Sequence, residues 1–254
     1  MYEVKKPKII VFEGIDGAGK TSLIELAAQC LRDRGLNVKI HATIGDNPIT
    51  PYIRENILDV LRPHGYMAEC FAMLASHAET FYHCFTRIDP VDKPDVILVD
   101  RWYGSFYGYQ LSRQDINSEL VSSMRGTLIH YVGNYFHIRP DALVYVDVNP
   151  DVARSRIEKR GKRNDMFEAY SIYLSKIRQK GYELFLEDAK SYHWFERIIR
   201  IENSAPLNDE YAEKIMDIIG PIALGTSNEK PEDIIRLLNE GAKQKPMNWI
   251  RKTH

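Results

Sequence analysis

Gly14-Ile15-Asp16-Gly17-Ala18-Gly19-Lys20-Thr21 follows the run Lys8-Ile9-Ile10-Val11-Phe12-Glu13 and precedes Ser22-Leu23-Ile24-Glu25-Leu26-Ala27-Ala28. The run before it is apolar and rich in β-branched residues, so it reads as a buried strand. The run after it repeats its apolar residues at helical spacing. A strand, a glycine-rich turn and a helix set successive backbone N–H groups and a helix N-terminus around one anion. The pattern predicts a phosphate-binding loop in which Gly14, Asp16, Gly17, Ala18, Gly19, Lys20, Thr21 and Ser22 surround the phosphates of a nucleotide. Lys20 would reach the β- and γ-phosphates, and the Thr21 hydroxyl would ligate Mg²⁺. The bland alternative is a turn that binds nothing. The complete motif between a strand and a helix argues against it.

The bulk properties bound the rest. A chain of 254 residues can bury one large core, or one core and a small appendage. It is 44% hydrophobic and 27% charged, as a globular protein is. Its net charge of −1 gives no global case for nucleic-acid or membrane binding. Cys30, Cys70 and Cys84 form no C-x-x-C pair and suit free thiols in a reducing compartment. No apolar run approaches a membrane span. Met1-Tyr2-Glu3-Val4-Lys5-Lys6 leads into the first strand without a leader pattern, so a cytoplasmic location is expected.

Strand and helix patterns alternate. Strand-like runs fall at 8–13, 37–43, 95–100, 142–148 and 196–202. Helix-like segments fall at about 20–34, 48–61, 66–87, 117–136, 150–160, 166–189 and 207–219. Near-continuous apolar strands separated by helices predict an α/β fold with a five-stranded parallel sheet covered on both faces. Gly220-Pro221 suggests a boundary. Residues 1–220 would form the main domain, and 221–254 an extension with a short helix at about 231–242 and a basic tail.

Asp100 ends the third strand-like run. An acid there, beside the strand that feeds the phosphate loop, sits where Mg²⁺ is held. A helix cap is the plainer alternative. The next residue, Arg101, favours the metal role, because it faces the crevice at the carboxyl edge of the sheet, where its planar fork suits a phosphate. The eight histidines show no zinc pattern.

Several separated segments together resemble the thymidylate kinase family of P-loop nucleoside-monophosphate kinases. They are Phe12 to Thr21 with its acidic Asp16, Asp46-Asn47-Pro48-Ile49 with Ile53-Arg54, and Asp100-Arg101-Trp102 with Ser105 and Tyr109-Gln110. Further on come Arg139-Pro140-Asp141 with Tyr145-Val146-Asp147-Val148, and Arg156, Arg160 and Arg163 with Asp165-Met166-Phe167-Glu168 and Tyr182. The resemblance covers about residues 6–220.

It implies a P-loop kinase fold with an arginine-bearing lid at about 154–168. It also implies transfer of the γ-phosphoryl of MgATP to a deoxynucleoside monophosphate, most simply dTMP or a related pyrimidine nucleotide. Such transfer is mostly positioning and charge neutralisation. Lys20 would hold the donor, Arg101 the acceptor phosphate, and Thr21 and Asp100 the Mg²⁺. Some family members carry an arginine where this chain has Gly17, so the catalytic cation should come from the lid, from Arg160 or Arg163. Arg154 and Lys159 read instead as a solvated helix face. By resemblance, Asp16 contacts the sugar 3′-hydroxyl or Mg²⁺, and Tyr109 packs under the deoxyribose. Ser105 belongs to the acceptor side, and Asp165 and Glu168 lie near the acceptor. Asp165 also begins a capping box. The family commonly dimerises through its second and third helices, and the apolar circumference of Met67 to Phe85 suits a homodimer.

Three departures stand out. Ala42-Thr43-Ile44 replaces a basic segment. The family's thymine-reading aromatic and arginine align with Met73 and His77. A small polar residue that faces the base aligns with Phe106. The base pocket should therefore select by shape and stacking, with relaxed acceptor choice or a base other than unmodified thymine. Two alternatives remain open. One is a deoxynucleoside kinase with Glu13 as its carboxylate base. The other is a non-catalytic nucleotide-binding protein of the same fold. The stretch 111–138 and the tail have no assigned role.

Overall fold

Ile9, Ile10, Val11 and Phe12 are all buried, which makes the first strand a central one. The computed structural model describes residues 6–43, 49–53, 65–82, 93–113, 116–135, 139–159, 172–204, 209–226 and 235–238. In chain order these form β1 (Lys8–Glu13), α1 (Lys20–Arg32), β2 (Val38–Ala42), α2 (Ile49–Ile53), α3 (Tyr66–Phe81) and β3 (Val96–Asp100). Then come α4 (Tyr103–Phe106), a π-helical turn (Tyr107–Leu111), α5 (Ser118–Tyr135), β4 (Ala142–Asp147), α6 (Pro150–Lys159), α7 (Ile172–Ser191), β5 (Ile198–Glu202), α8 (Asp209–Leu224) and β6 (Ile235–Leu238).

The sheet order is β2-β3-β1-β4-β5-β6. Every pairing is parallel. The five expected strands form its core, and helices cover it. β1 lies between β3 and β4, with Phe12 opposite both Asp100 and Val144. The chain thus leaves β1 and β3 at the same sheet edge, at neighbouring positions. That register sets the phosphate loop beside Asp100-Arg101.

Two expectations at the C-terminal end need correction. The boundary near Gly220-Pro221 does not end a helix, because α8 runs through Pro221 to Leu224. A proline inside a helix costs about 3 kcal/mol. Burial of Ile215, Met216, Ile219, Ile222 and Ala223 along one helical face offsets that cost. The short helix expected at about 231–242 is not formed, since Ile235–Leu238 is a strand that extends the sheet beside β5. Four residues, Ile235-Arg236-Leu237-Leu238, carry too little periodicity to separate the two. No described helix is long and apolar enough to cross a membrane.

Candidate active site

The phosphate loop starts from a backbone that side chains could not follow. Gly17 has φ 78°, and a Cβ on it would lie 2.4 Å from the carbonyl oxygen of Ala153 on α6. An arginine at this position, as the resemblance offers for some relatives, has no room here. A Cβ on Gly14 would lie 2.4 Å from Val146 O. Asn203, just past β5, braces the loop by donating to Ala18 O at 2.7 Å. α1 then begins at Lys20 with no side chain capping its first turn. Its leading N–H groups are left for an anion.

Lys20 is buried and folded back on the loop, donating to Gly14 O at 2.8 Å and Ile15 O at 2.9 Å. Burial lowers its ammonium to about 8, and nearby Arg101 adds to this against the pull of Asp16, Asp100 and Glu13. Thr21 and Ser22 are exposed at the mouth of the loop.

Arg101 takes a left-handed backbone, φ 72°. Such strain persists where its surroundings over-determine it. Its N–H donates to Phe12 O at 3.0 Å, and its carbonyl accepts from the Thr43 hydroxyl. Its guanidinium bridges Asp16 and donates to Ser105 Oγ at 3.0 Å. Thr43 therefore does structural work in the segment where a basic residue was expected. Its own carbonyl gathers the hydroxyls of Thr50, Ser76 and Thr80 at 3.4, 3.2 and 3.1 Å, tying the end of β2 to α2 and α3.

Asp16 is a hub of charged and hydroxyl contacts beside Arg101. Besides Arg101, it accepts from the Tyr109 hydroxyl at 2.6 Å and lies 3.8 Å from Arg178. Burial pushes its carboxyl up. Arg101, Lys20, the Tyr109 hydroxyl and Arg178 outweigh that and hold it at about 2. Arg178 also stacks 4.4 Å over the Tyr109 ring. It was not singled out in the sequence. Its only signal there was a helical position one turn before Tyr182.

Glu13 is the candidate carboxylate base of the deoxynucleoside-kinase alternative. It is wholly buried, with both oxygens engaged. Oε1 accepts from the N–H groups of Trp102 and Ser105 at 2.5 and 2.9 Å. Oε2 accepts from Ser105 Oγ and the Tyr182 hydroxyl at 3.0 and 3.1 Å. Burial raises its pKa against the pull of Arg101 and those N–H groups. Glu13 thus caps α4 from β1 and shapes the turn that carries Arg101.

Asp100 has a buried Oδ1 that accepts no hydrogen bond among the described residues. A hard, orphaned oxygen at the strand end beside Thr21's loop suits Mg²⁺, which keeps few protein ligands and several waters. Among the described residues no cluster of three or more His, Cys, Asp or Glu could hold a metal.

The positions expected to border the base separate. Met73 and His77 lie on one stripe of α3, both buried. Burial lowers His77 to about 3, so its imidazole is neutral, and its ring sits 5.0 Å from that of Tyr103. Phe106, expected to face the base, is fully buried in the hydrophobic core. Gln110, quoted only as part of a motif, is instead drawn to the α3 stripe, donating to Glu69 at 3.1 Å. On α6, Arg154 pairs with Glu158 at 2.7 Å on an exposed face, as expected, while Arg156 turns to the phosphate loop, 3.4 Å from Gly17 O and Ala18 O. Arg160, Arg163, Asp165 and Glu168 lie outside the described residues.

A family model described as thymidylate kinase matches residues 12–202. The chain belongs to the thymidylate kinase family. As a family member it is a phosphotransferase of the nucleoside-monophosphate kinase class. The thymidylate kinase of Latilactobacillus sakei is 30% identical over 202 residues, covering 79% of this chain and 89% of that protein. A probable thymidylate kinase of Archaeoglobus fulgidus is 28% identical over 221 residues, covering 83% and 94%. The crystal structure of thymidylate kinase from Ehrlichia chaffeensis shares the fold, with a TM-score of 0.53 and 20% identity over 85% of this chain and 99% of that one.

Proposed function

We propose that this family member transfers the γ-phosphoryl group of MgATP to a deoxynucleoside monophosphate, dTMP or a related pyrimidine nucleotide, giving the diphosphate. The observation that carries this is the pairing of two anion sites on adjacent strand ends. The uncapped start of α1 with Lys20 follows β1, and Arg101 follows β3.

The residues divide the work. The loop amides and Lys20 hold the donor phosphates once Lys20 exchanges the Gly14 and Ile15 carbonyls for phosphate oxygens. Thr21 and Asp100 would hold Mg²⁺, which would supply charge neutralisation for the donor phosphates. Arg101 orients the acceptor phosphate. Asp16 and Tyr109 meet the sugar. Met73, neutral His77 and Gln110 border the base. Arg160 or Arg163 of the lid stabilises charge on the transferring group while water is excluded.

A nucleoside acceptor would need a free carboxylate base, and both Glu13 oxygens are engaged. That favours the monophosphate. Homodimerisation is proposed through the outer faces of α2 and α3, where Tyr52 is 64% and Phe71 56% exposed, and Tyr82, just past α3, is 47% exposed. Light scattering tests it.

The activity test is ADP release against each deoxy- and ribonucleoside monophosphate, with nucleosides as controls. Turnover of dTMP or dUMP is expected. Lys20→Ala should lower kcat on the order of a thousandfold with an unchanged circular dichroism spectrum. Turnover of nucleosides alone, or near-native kcat in the variant, would defeat the proposal.

A further inference from the structure

Arg178 and Tyr182 stand one turn apart on one face of α7, and both reach the glycine-rich loop. The Tyr182 hydroxyl donates to Gly14 O at 3.0 Å, and Arg178 Nη1 lies 3.8 Å from Asp16 Oδ2. The neighbouring pair, Gln179 and Glu183, ties the helix to the sheet. Gln179 Nε2 donates to Asp147 Oδ1 at 2.8 Å, and Arg200 donates to the two Glu183 oxygens at 2.6 and 3.0 Å. A Cβ on Gly181 would lie 2.4 Å from Tyr107 O, so α7 also packs on the backbone of the π-helical turn that carries Tyr109. These contacts fix the height and rotation of α7, and with them the place of Arg178.

Arg178 is 8% exposed, and its guanidinium carbon stands 4.4 Å from the centre of the Tyr109 ring. That of Arg101 stands 5.5 Å from the same centre. Two guanidiniums therefore share one ring and one carboxylate, but unequally. Arg101 is hydrogen-bonded to Asp16 Oδ1. Arg178 approaches Oδ2, which the Tyr109 hydroxyl holds at 2.6 Å, and stands about 1 Å beyond a good hydrogen bond. A phosphate dianion competes with Asp16 for Arg101. A largely buried carboxylate that loses its partner is costly, so the loss of Arg101 has to be made good from nearby.

We propose that Arg178 is a positioning residue that takes over Asp16 when Arg101 turns to the acceptor phosphate. This rests on the proposed acceptor site. A shift of about 1 Å by a long side chain closes the gap to Oδ2. Asp16 then stays charged and in place for the sugar, and the Tyr109 ring keeps a cation against it. One guanidinium is exchanged for another, and the carboxylate between them does not move.

The test is KM for dTMP and for MgATP in Arg178→Met, alone and with Asp16→Asn. Arg178→Met should raise KM for dTMP about tenfold or more and leave KM for MgATP unchanged. In the Asp16→Asn background the same substitution should change KM for dTMP by less than about twofold, because the charge it serves is gone. Equal rises for both substrates would make Arg178 merely structural and overturn the proposal. An equal rise with and without Asp16→Asn would show that Arg178 does not act through Asp16, and overturns it too. If Arg178→Met shows no cooperative melt, Arg178→Gln must give the same split between substrates, and an even loss there also overturns the proposal. The exchange has a substrate-free readout as well. In Arg101→Met, Asp16 has to lean on Arg178, so adding Arg178→Met should lower the urea midpoint more than it does in the wild-type chain. An equal or smaller drop overturns the proposal. A wild-type protein that turns over no monophosphate would defeat the acceptor site itself, while the urea midpoints would still decide the exchange.

Discussion

Asp16, in the loop after β1, is salt-bridged to Arg101, at the end of β3. The acid neutralises the Arg101 guanidinium, which is proposed to meet the acceptor phosphate. It also keeps that guanidinium aimed across the crevice. The same carboxylate holds Tyr109. The glycine-rich loop, Arg101 and the Tyr109 ring thus share one hub.

Asp16→Asn should therefore cost stability in a pH-dependent way. The carboxyl lies near 2 in the fold, against 3.8 for an ordinary aspartate. Its stabilisation is complete above pH 3.8 and is lost as pH falls through 2. The variant should be about 2 kcal/mol less stable at pH 7, and the gap should close toward pH 2. Urea melts across that range measure it. A gap that is constant with pH would mean that the charge on Asp16 is not what matters.

Lys20 predicts opposite pH trends for binding and stability. Its ammonium sits near 8 in the substrate-free fold. Phosphates bind the protonated form, so affinity for a non-hydrolysable ATP analogue should weaken as pH rises through 8, by up to about tenfold per unit. The unfolded chain holds the Lys20 proton up to about 10.5. Between 8 and 10.5 the unfolded state binds more protons, so this group makes folding more favourable as pH rises. Calorimetry from pH 6.5 to 9.5 should show the affinity loss, and Lys20→Ala should abolish it.

Much of this arrangement is legible in the sequence, for identifiable reasons. The phosphate loop and Asp100-Arg101 are each local, and both follow apolar runs whose burial is unambiguous. Ser105 and Tyr109 follow at i+4 and i+8 from Arg101, along the segment that forms α4 and the π-helical turn. What sequence does not reveal is long-range pairing. The Glu13 to Trp102 hydrogen bond spans 89 positions, and no local pattern announces that an acid on β1 will cap a helix after β3. Arg178 and Gln110 are ordinary polar residues of helical stretches until the packing of α7 and α3 decides what they face. Phe106 is placed toward the base by the resemblance alone, and the turn of α4 buries it. β6 could not be read because a lone four-residue run becomes a strand only when β5 offers it an edge.

Gly17→Arg separates two sources of the catalytic cation. By the resemblance, an arginine in the loop could take the place of a lid arginine. In this chain the Gly17 backbone is left-handed, and Ala153 O stands 2.4 Å from where a Cβ would lie. The substitution should distort the loop, weaken nucleotide affinity and lower kcat, with no rescue of Arg160→Ala or Arg163→Ala. Each lid variant alone should lower kcat and kcat/KM by similar factors, as loss of a transition-state contact does. Rescue of either lid variant by Gly17→Arg would show that the loop can move off α6.

His77 gives the sharpest acid-side prediction, because its ring titrates where few other groups do. Burial holds it near 3 in the fold, against about 6.5 in the unfolded chain. Between those values the unfolded state takes up a proton that the folded state refuses. Stability therefore falls as pH drops below 6.5, by about 1.4 kcal/mol per unit from this group, until pH 3. His77→Phe removes the titration and keeps an aromatic ring against Tyr103, 5.0 Å away in the native pair. It should flatten the acid limb of the stability profile while leaving stability near pH 8 within about 1.5 kcal/mol, as volume-conserving core exchanges do. The profile is measured by urea unfolding from pH 4 to 8. An acid limb unchanged in His77→Phe would mean that the buried imidazole takes up its proton in the fold as readily as in the unfolded chain, and that burial beside Tyr103 does not exclude the charge.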